Sequence, residues 1–159
     1  MKTIQVCIIG LLLTLCTMST TVYAKDGGAF SPYLVGTYDQ RAARTVFQII
    51  NPTAKDFEVY IAFFDDNEKP LKCVKEKLSH NDLLEIDVNK LELKAKFGVV
   101  KIVSHIGGKP VPGVVGFQRN YFTQVGSKVP FGVTESNLAA VPAKILDGEL
   151  KIIMDVCGK

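Results

Sequence analysis

The sequence has no tryptophan, and of histidine it has only His80 and His105. Without tryptophan the largest aromatic platform for stacking a sugar ring is missing, which counts against carbohydrate recognition. The histidines lie in Ser79-His80-Asn81-Asp82 and Ser104-His105-Ile106-Gly107, two separate turn-like contexts with no second histidine at ligand spacing. Zinc takes three or four suitable ligands. Both histidines therefore read as solvent-exposed turn residues, and no metal is expected unless the two converge in space with a carboxylate. Asp65-Asp66-Asn67-Glu68 offers oxygen ligands but lacks the alternate spacing and glycine of a calcium loop, so it reads as a solvated hairpin tip. No Gly-x-Ser-x-Gly elbow exposes a serine and no Cys-x-x-Cys spacing lowers a thiol pKa. No catalytic residue and no cofactor are assigned, and an enzyme is not expected.

Charge of one sign is scarce as well. The chain carries 19 Lys and Arg against 16 Asp and Glu, interspersed rather than clustered, so the electrostatic footprint of a nucleic-acid binder is missing. Long apolar runs are also lacking. The most apolar stretch, Val6 to Cys16, covers 11 residues, against roughly 20 for a membrane-spanning helix. It follows Lys2 and precedes a polar stretch and the small-residue site Val22-Tyr23-Ala24, the three regions of a secretory leader. Residues 1–24 are expected to be a signal peptide cleaved after Ala24, leaving residues 25–159 as one domain in the periplasm or outside the cell, with no stable membrane anchor. Cys16 would tether a lipoprotein, but Leu15 stands where such a site takes a small residue.

Four cysteines then become two. Cys7 and Cys16 leave with the leader, while Cys73 and Cys157 remain in an oxidising compartment where thiols pair. They are expected to form one disulfide. Its loop spans 84 positions, and closing it removes about 4.5 kcal/mol of chain entropy from the unfolded state.

What is present in quantity is short runs of Val, Ile, Phe and Tyr at intervals of about ten residues, divided by turn residues. In Phe57 to Phe64, residues Phe57, Val59, Ile61 and Phe63 share one face because strand side chains alternate. Thr45 to Ile50 is a second strand, stopped by Asn51-Pro52-Thr53, and the two are expected to form a hairpin. Leu71 to Leu78, Leu84 to Val88, Phe97 to Ser104 and Val111 to Phe122 continue the series, with Gly107-Gly108-Lys109-Pro110 as an exposed turn. The tail from Leu150 to Val156 fits a strand or a helical face, and we assign it as a short helix. The pattern predicts an all-β sandwich, immunoglobulin-like or jelly-roll, of seven to nine strands.

Arg44 to Ile50 running into Asn51-Pro52-Thr53, then Val59 to Asp66, Pro70, Leu84 to Leu91, Gly98 to Ser104 and Gly116-Phe117 form a familiar succession. It resembles the sandwich modules of secreted bacterial proteins whose strand ends in an Asn-Pro turn, and more distantly it is similar to the sensory rhodopsin transducer family. The resemblance covers residues 44–122 and implies a β-sandwich. Transducer relatives work in the cytoplasm with a membrane photoreceptor, whereas this chain opens on an export signal, so no functional residue is carried over.

Two surfaces remain as candidates. Lys69, Lys72, Lys75 and Lys77 line one segment, where they would bind anionic polysaccharide or lipid head groups, or simply guard an outer strand against edge-to-edge pairing. Gln118, Arg119 and Tyr121 bring amide, guanidinium and phenol together on one strand, a composition suited to protein or sugar contacts. The expectation is an exported, non-enzymatic binding or structural module of the cell envelope whose partner is a protein. The alternative is an envelope carbohydrate-binding domain, and a periplasmic hydrolase is the weakest reading.

Overall fold

A computed structural model describes residues 31–41, 43–123, 130–141 and 146–158. The signal peptide assigned to residues 1–24 lies outside them. In chain order the strands are β1 (Tyr33–Asp39), β2 (Ala43–Ile50), β3 (Phe57–Phe64), β4 (Pro70–Leu78), β5 (Leu83–Asp87), β6 (Phe97–Ile106), β7 (Lys109–Pro110), β8 (Val115–Thr123), β9 (Pro130–Asn137) and β10 (Ala139–Ala140), followed by helix α1 (Leu146–Gly158). Two antiparallel sheets form: a six-stranded one ordered β10-β1-β6-β3-β4 with β7 attached to β6, and a four-stranded one ordered β5-β2-β8-β9. This is an all-β sandwich with a short C-terminal helix.

Between the sheets the alternate residues of facing strands make the main core: Phe47 and Ile49 from β2, Phe57, Val59, Ile61 and Phe63 from β3, Val100 and Ile102 from β6. Phe63 is its aromatic centre, with Tyr38 edge-on at 5.9 Å and Phe47 tilted at 6.3 Å between ring centroids. Alternation fails in the second half of β3, where Ala62 and Phe64 are buried on the opposite face. The reason is α1, which lays Ile153 and Cys157 against Tyr33, Ala62, Phe64 and Val103 in a second, smaller cluster. The helix was one of two patterns legible in the tail, and the strand alternative is excluded.

Close approach accounts for one glycine. A Cβ on Gly98 of β6 would lie 2.0 Å from the Phe64 carbonyl oxygen, so only glycine lets these two backbones meet. The same carbonyl accepts a hydrogen bond from Tyr38 Oη at 3.1 Å. Burial, followed by the nearby Asp65 and Asp66 carboxylates, pushes the Tyr38 phenol up to about 12.

The hairpin expected between β2 and β3 does not form. β2 pairs with β5 and β8, β3 with β4 and β6, so the chain changes sheet at Asn51-Pro52. Asn51 explains how. Its side chain is fully buried, and its amide nitrogen donates to the carbonyls of Lys55 at 2.6 Å, Ser79 at 2.8 Å and Leu78 at 3.2 Å. Its carbonyl oxygen accepts from Thr53 N–H and Thr53 Oγ1. The residue thus joins the crossover to the β4–β5 turn, satisfying backbone groups that the sheets cannot. β3 instead forms a hairpin with β4, over the polar tip Asp65-Asp66-Asn67-Glu68.

Candidate functional site

The outer face of the four-stranded sheet is set by register. Arg44, Tyr121 and Val133 stand opposite one another on β2, β8 and β9, and the next row holds Asp87, Val46, Arg119 and Glu135. Because strand side chains alternate, all seven share one face. Arg44 is tied to Asp87, Nε to Oδ2 at 3.0 Å and Nη2 to Oδ2 at 2.9 Å, and its guanidinium lies over the Tyr121 ring at 5.5 Å. Arg119 Nε pairs with Glu135 Oε2. Glu135, and after it Tyr121, hold the Arg119 guanidinium protonated more firmly than usual.

In the third row Gln48 Nε2 donates to Glu85 Oε2 at 3.1 Å. Val46, in the row with Arg119 and Asp87, is buried. Val133, 54% exposed, stands uncovered beside Tyr121. The result is a flat face of paired charges, one phenol and exposed aliphatic surface, carried on the two central strands β2 and β8 and therefore rigid.

Of the residues proposed for binding, Arg119 and Tyr121 occupy this face together. Gln118 does not. As their odd-numbered neighbours point outward, Gln118 points inward, is 8% exposed and accepts the Thr37 N–H from the other sheet at 3.2 Å. Its Nε2 and Thr45 Oγ1 both donate to Asn120 Oδ1, at 3.3 and 2.9 Å. Alternation along β8 was enough to separate 118 from 119 and 121, but the polar character of Gln118 masked it. The partners of Arg119 and Tyr121 on β2, β5 and β9 were missed, because cross-strand neighbours are set by register, which the sequence shows weakly.

His80 is exposed, as expected, with Nδ1 2.5 Å from the Thr53 carbonyl oxygen. His105 is not an exposed turn residue. It belongs to β6, is 1% exposed, and meets the Tyr60 ring edge-on at 4.3 Å. Neither ring nitrogen has a hydrogen-bond partner, although Glu58 Oε2 comes within 3.3 Å of Nδ1. Burial depresses the His105 pKa, and Glu58 opposes the shift. Among the described residues no group of three His, Cys, Asp or Glu could hold a metal, and no helix is long and apolar enough to cross a membrane.

Cys73 and Cys157 are bonded, with Cα atoms 5.3 Å apart, as the cysteine count predicts. Lys72, Lys75 and Lys77 fall on β4, the edge of the six-stranded sheet, and Lys69 in the loop before it; the three on the strand are individually engaged: Lys72 Nζ donates to the Leu91 carbonyl, Lys75 lies over the Tyr60 ring and Lys77 faces Asp56 at 3.8 Å. Dispersed in this way they fit an edge guard better than one anion site.

No family model matches the chain, and no curated protein matches it significantly. Among solved structures, one described as the crystal structure of Thermotoga maritima 1070 aligns with a TM-score of 0.55 at 15% identity, covering 71% of this chain and 97% of that one. What the likeness establishes is a shared fold.

Proposed function

We propose that the chain is an exported, non-enzymatic β-sandwich protein that binds a protein partner in the cell envelope through the outer face of its four-stranded sheet. The observation that carries this reading is the pre-ordered group of Arg44, Tyr121, Arg119 and Glu135 beside the exposed Val133. Tyrosine and arginine are the residue types that dominate the energetics of protein interfaces. Held by neighbours on rigid strands, they lose little entropy on binding. The Cys73–Cys157 bond supports an oxidising destination, the periplasm or the exterior.

Capture from the envelope fraction with the tagged protein tests it. The wild type is expected to retain a partner that the Arg119→Ala/Tyr121→Ala variant loses, and identical capture by both would contradict the reading. Carbohydrate recognition is the weaker alternative, since the inward turn of Gln118 removes one of its three expected contacts. Glycan binding abolished by Tyr121→Ala would favour it instead.

A further inference from the structure

We propose that the Cys73–Cys157 disulfide is a redox latch: its reduction by a dithiol releases α1 and uncovers an apolar face on the six-stranded sheet.

The helix has 13 residues, at the length where an isolated helix is marginal in water, so its order comes from what it packs against. Leu150, Ile153, Met154 and Cys157 recur at helical spacing and meet Tyr33, Ala62, Phe64 and Val103. None of the described side chains of α1 enters the cluster between the sheets. The helix can therefore leave without opening the main core. Beyond this apolar packing, two fastenings hold it. At its N-terminal end Glu149 Oε2 receives Lys101 Nζ at 2.5 Å and Tyr33 Oη at 3.4 Å; at its C-terminal end the disulfide joins it to edge strand β4. The first is a part-exposed ion pair of modest strength. The second is covalent and keeps the helix tethered beside the sheet, so that breaking it leaves docking to the packing and the ion pair alone.

Access to sulfur is one-sided. Cys157 is 1% exposed, while Cys73 is half-buried in a shallow cleft of about 310 Å³ lined by Pro70, Leu71, Lys72 and Val156. A dithiol thiolate attacks Cys73 Sγ through this cleft. The new S–S bond forms as the Cys73–Cys157 bond breaks, and Cys157 leaves as a thiolate that takes up a proton. The second thiol of the reagent then attacks its own sulfur in the mixed disulfide, so Cys73 departs as a thiol. The cystine gains two electrons and the reagent ends as a disulfide.

Hydrogen exchange on the purified protein with and without dithiothreitol tests the latch, with alkylation confirming that both thiols are free. Reduction is expected to speed exchange of residues 150–157 at least tenfold, leave β2, β3, β6 and β8 protected, and raise binding of an apolar dye. Cys157→Ser is expected to reproduce that pattern without reductant. Unchanged protection of the helix after reduction would overturn the proposal, because the bond would then be dispensable for docking. Simultaneous loss of protection in every strand would also overturn it, because the bond would then hold the whole fold.

Discussion

Glu58 and His105 face one another across β3 and β6, the carboxylate reaching within 3.3 Å of a ring nitrogen whose residue is 1% exposed. Lys77 stands opposite Glu58 on β4 and Tyr60 covers the ring, so Glu58 is the group that favours the charged imidazole. Burial outweighs it, and the folded pKa lies below the ordinary value, which is about 6.5. The unfolded chain then binds the proton first as pH falls. Stability from this group is present above about pH 6.5 and is lost as pH drops through the folded pKa. Melting temperatures measured from pH 8 to pH 5 are expected to fall more steeply for the wild type than for His105→Phe, and more steeply again for Glu58→Gln. Parallel curves for all three would refute this.

Gln118 gives a contrast with its neighbour on the strand. Thr37 lies beyond the short β1–β10 pairing, which covers Leu34 and Val35, and its N–H turns to the Gln118 amide instead. Gln118→Met keeps the volume and removes the acceptor, at an expected cost of about 1–2 kcal/mol in urea unfolding. Arg119→Ala, on the exposed face, is expected to leave the unfolding midpoint unchanged while abolishing partner capture. Equal midpoints for Gln118→Met and the wild type would show that the cross-sheet bond contributes nothing.

Much of this architecture was readable beforehand. β3 declared itself through Phe57, Val59, Ile61 and Phe63, and the tail through Leu150, Ile153, Met154 and Cys157, because periodicity is a local signal. β9 gave little warning, since Pro130 to Asn137 alternates weakly. Pairing was less legible than strand position. Two strands in sequence with a short turn ordinarily form a hairpin, yet Asn51 saturates the crossover so completely that β2 and β3 part into different sheets. The buried setting of His105 depended on β6 running on through Ile106, two residues beyond the expected end at Ser104.

Asn51 is accordingly the turn residue with most at stake. Asn51→Ala removes the amide donor from the Lys55, Leu78 and Ser79 carbonyls and the acceptor from the Thr53 N–H; Ser79 keeps the Asp82 N–H and Lys55 keeps Thr53 Oγ1, and each buried group left unmade costs about 1–3 kcal/mol. A total loss near 3 kcal/mol is expected, since water reaches the Lys55 and Thr53 side of the turn. Chemical denaturation of the variant checks it. A change below about 1 kcal/mol would mean that the crossover is held by other contacts.

Site-specific photo-crosslinking tests the binding face most directly. A photoreactive side chain replaces Val133, which is 54% exposed on the proposed face, or Lys77, whose side chain is 69% exposed on the opposite sheet, in cells that express the protein. A discrete protein adduct is expected from position 133 and none from position 77. Adducts from position 77 alone, or the same adduct from both, would contradict it.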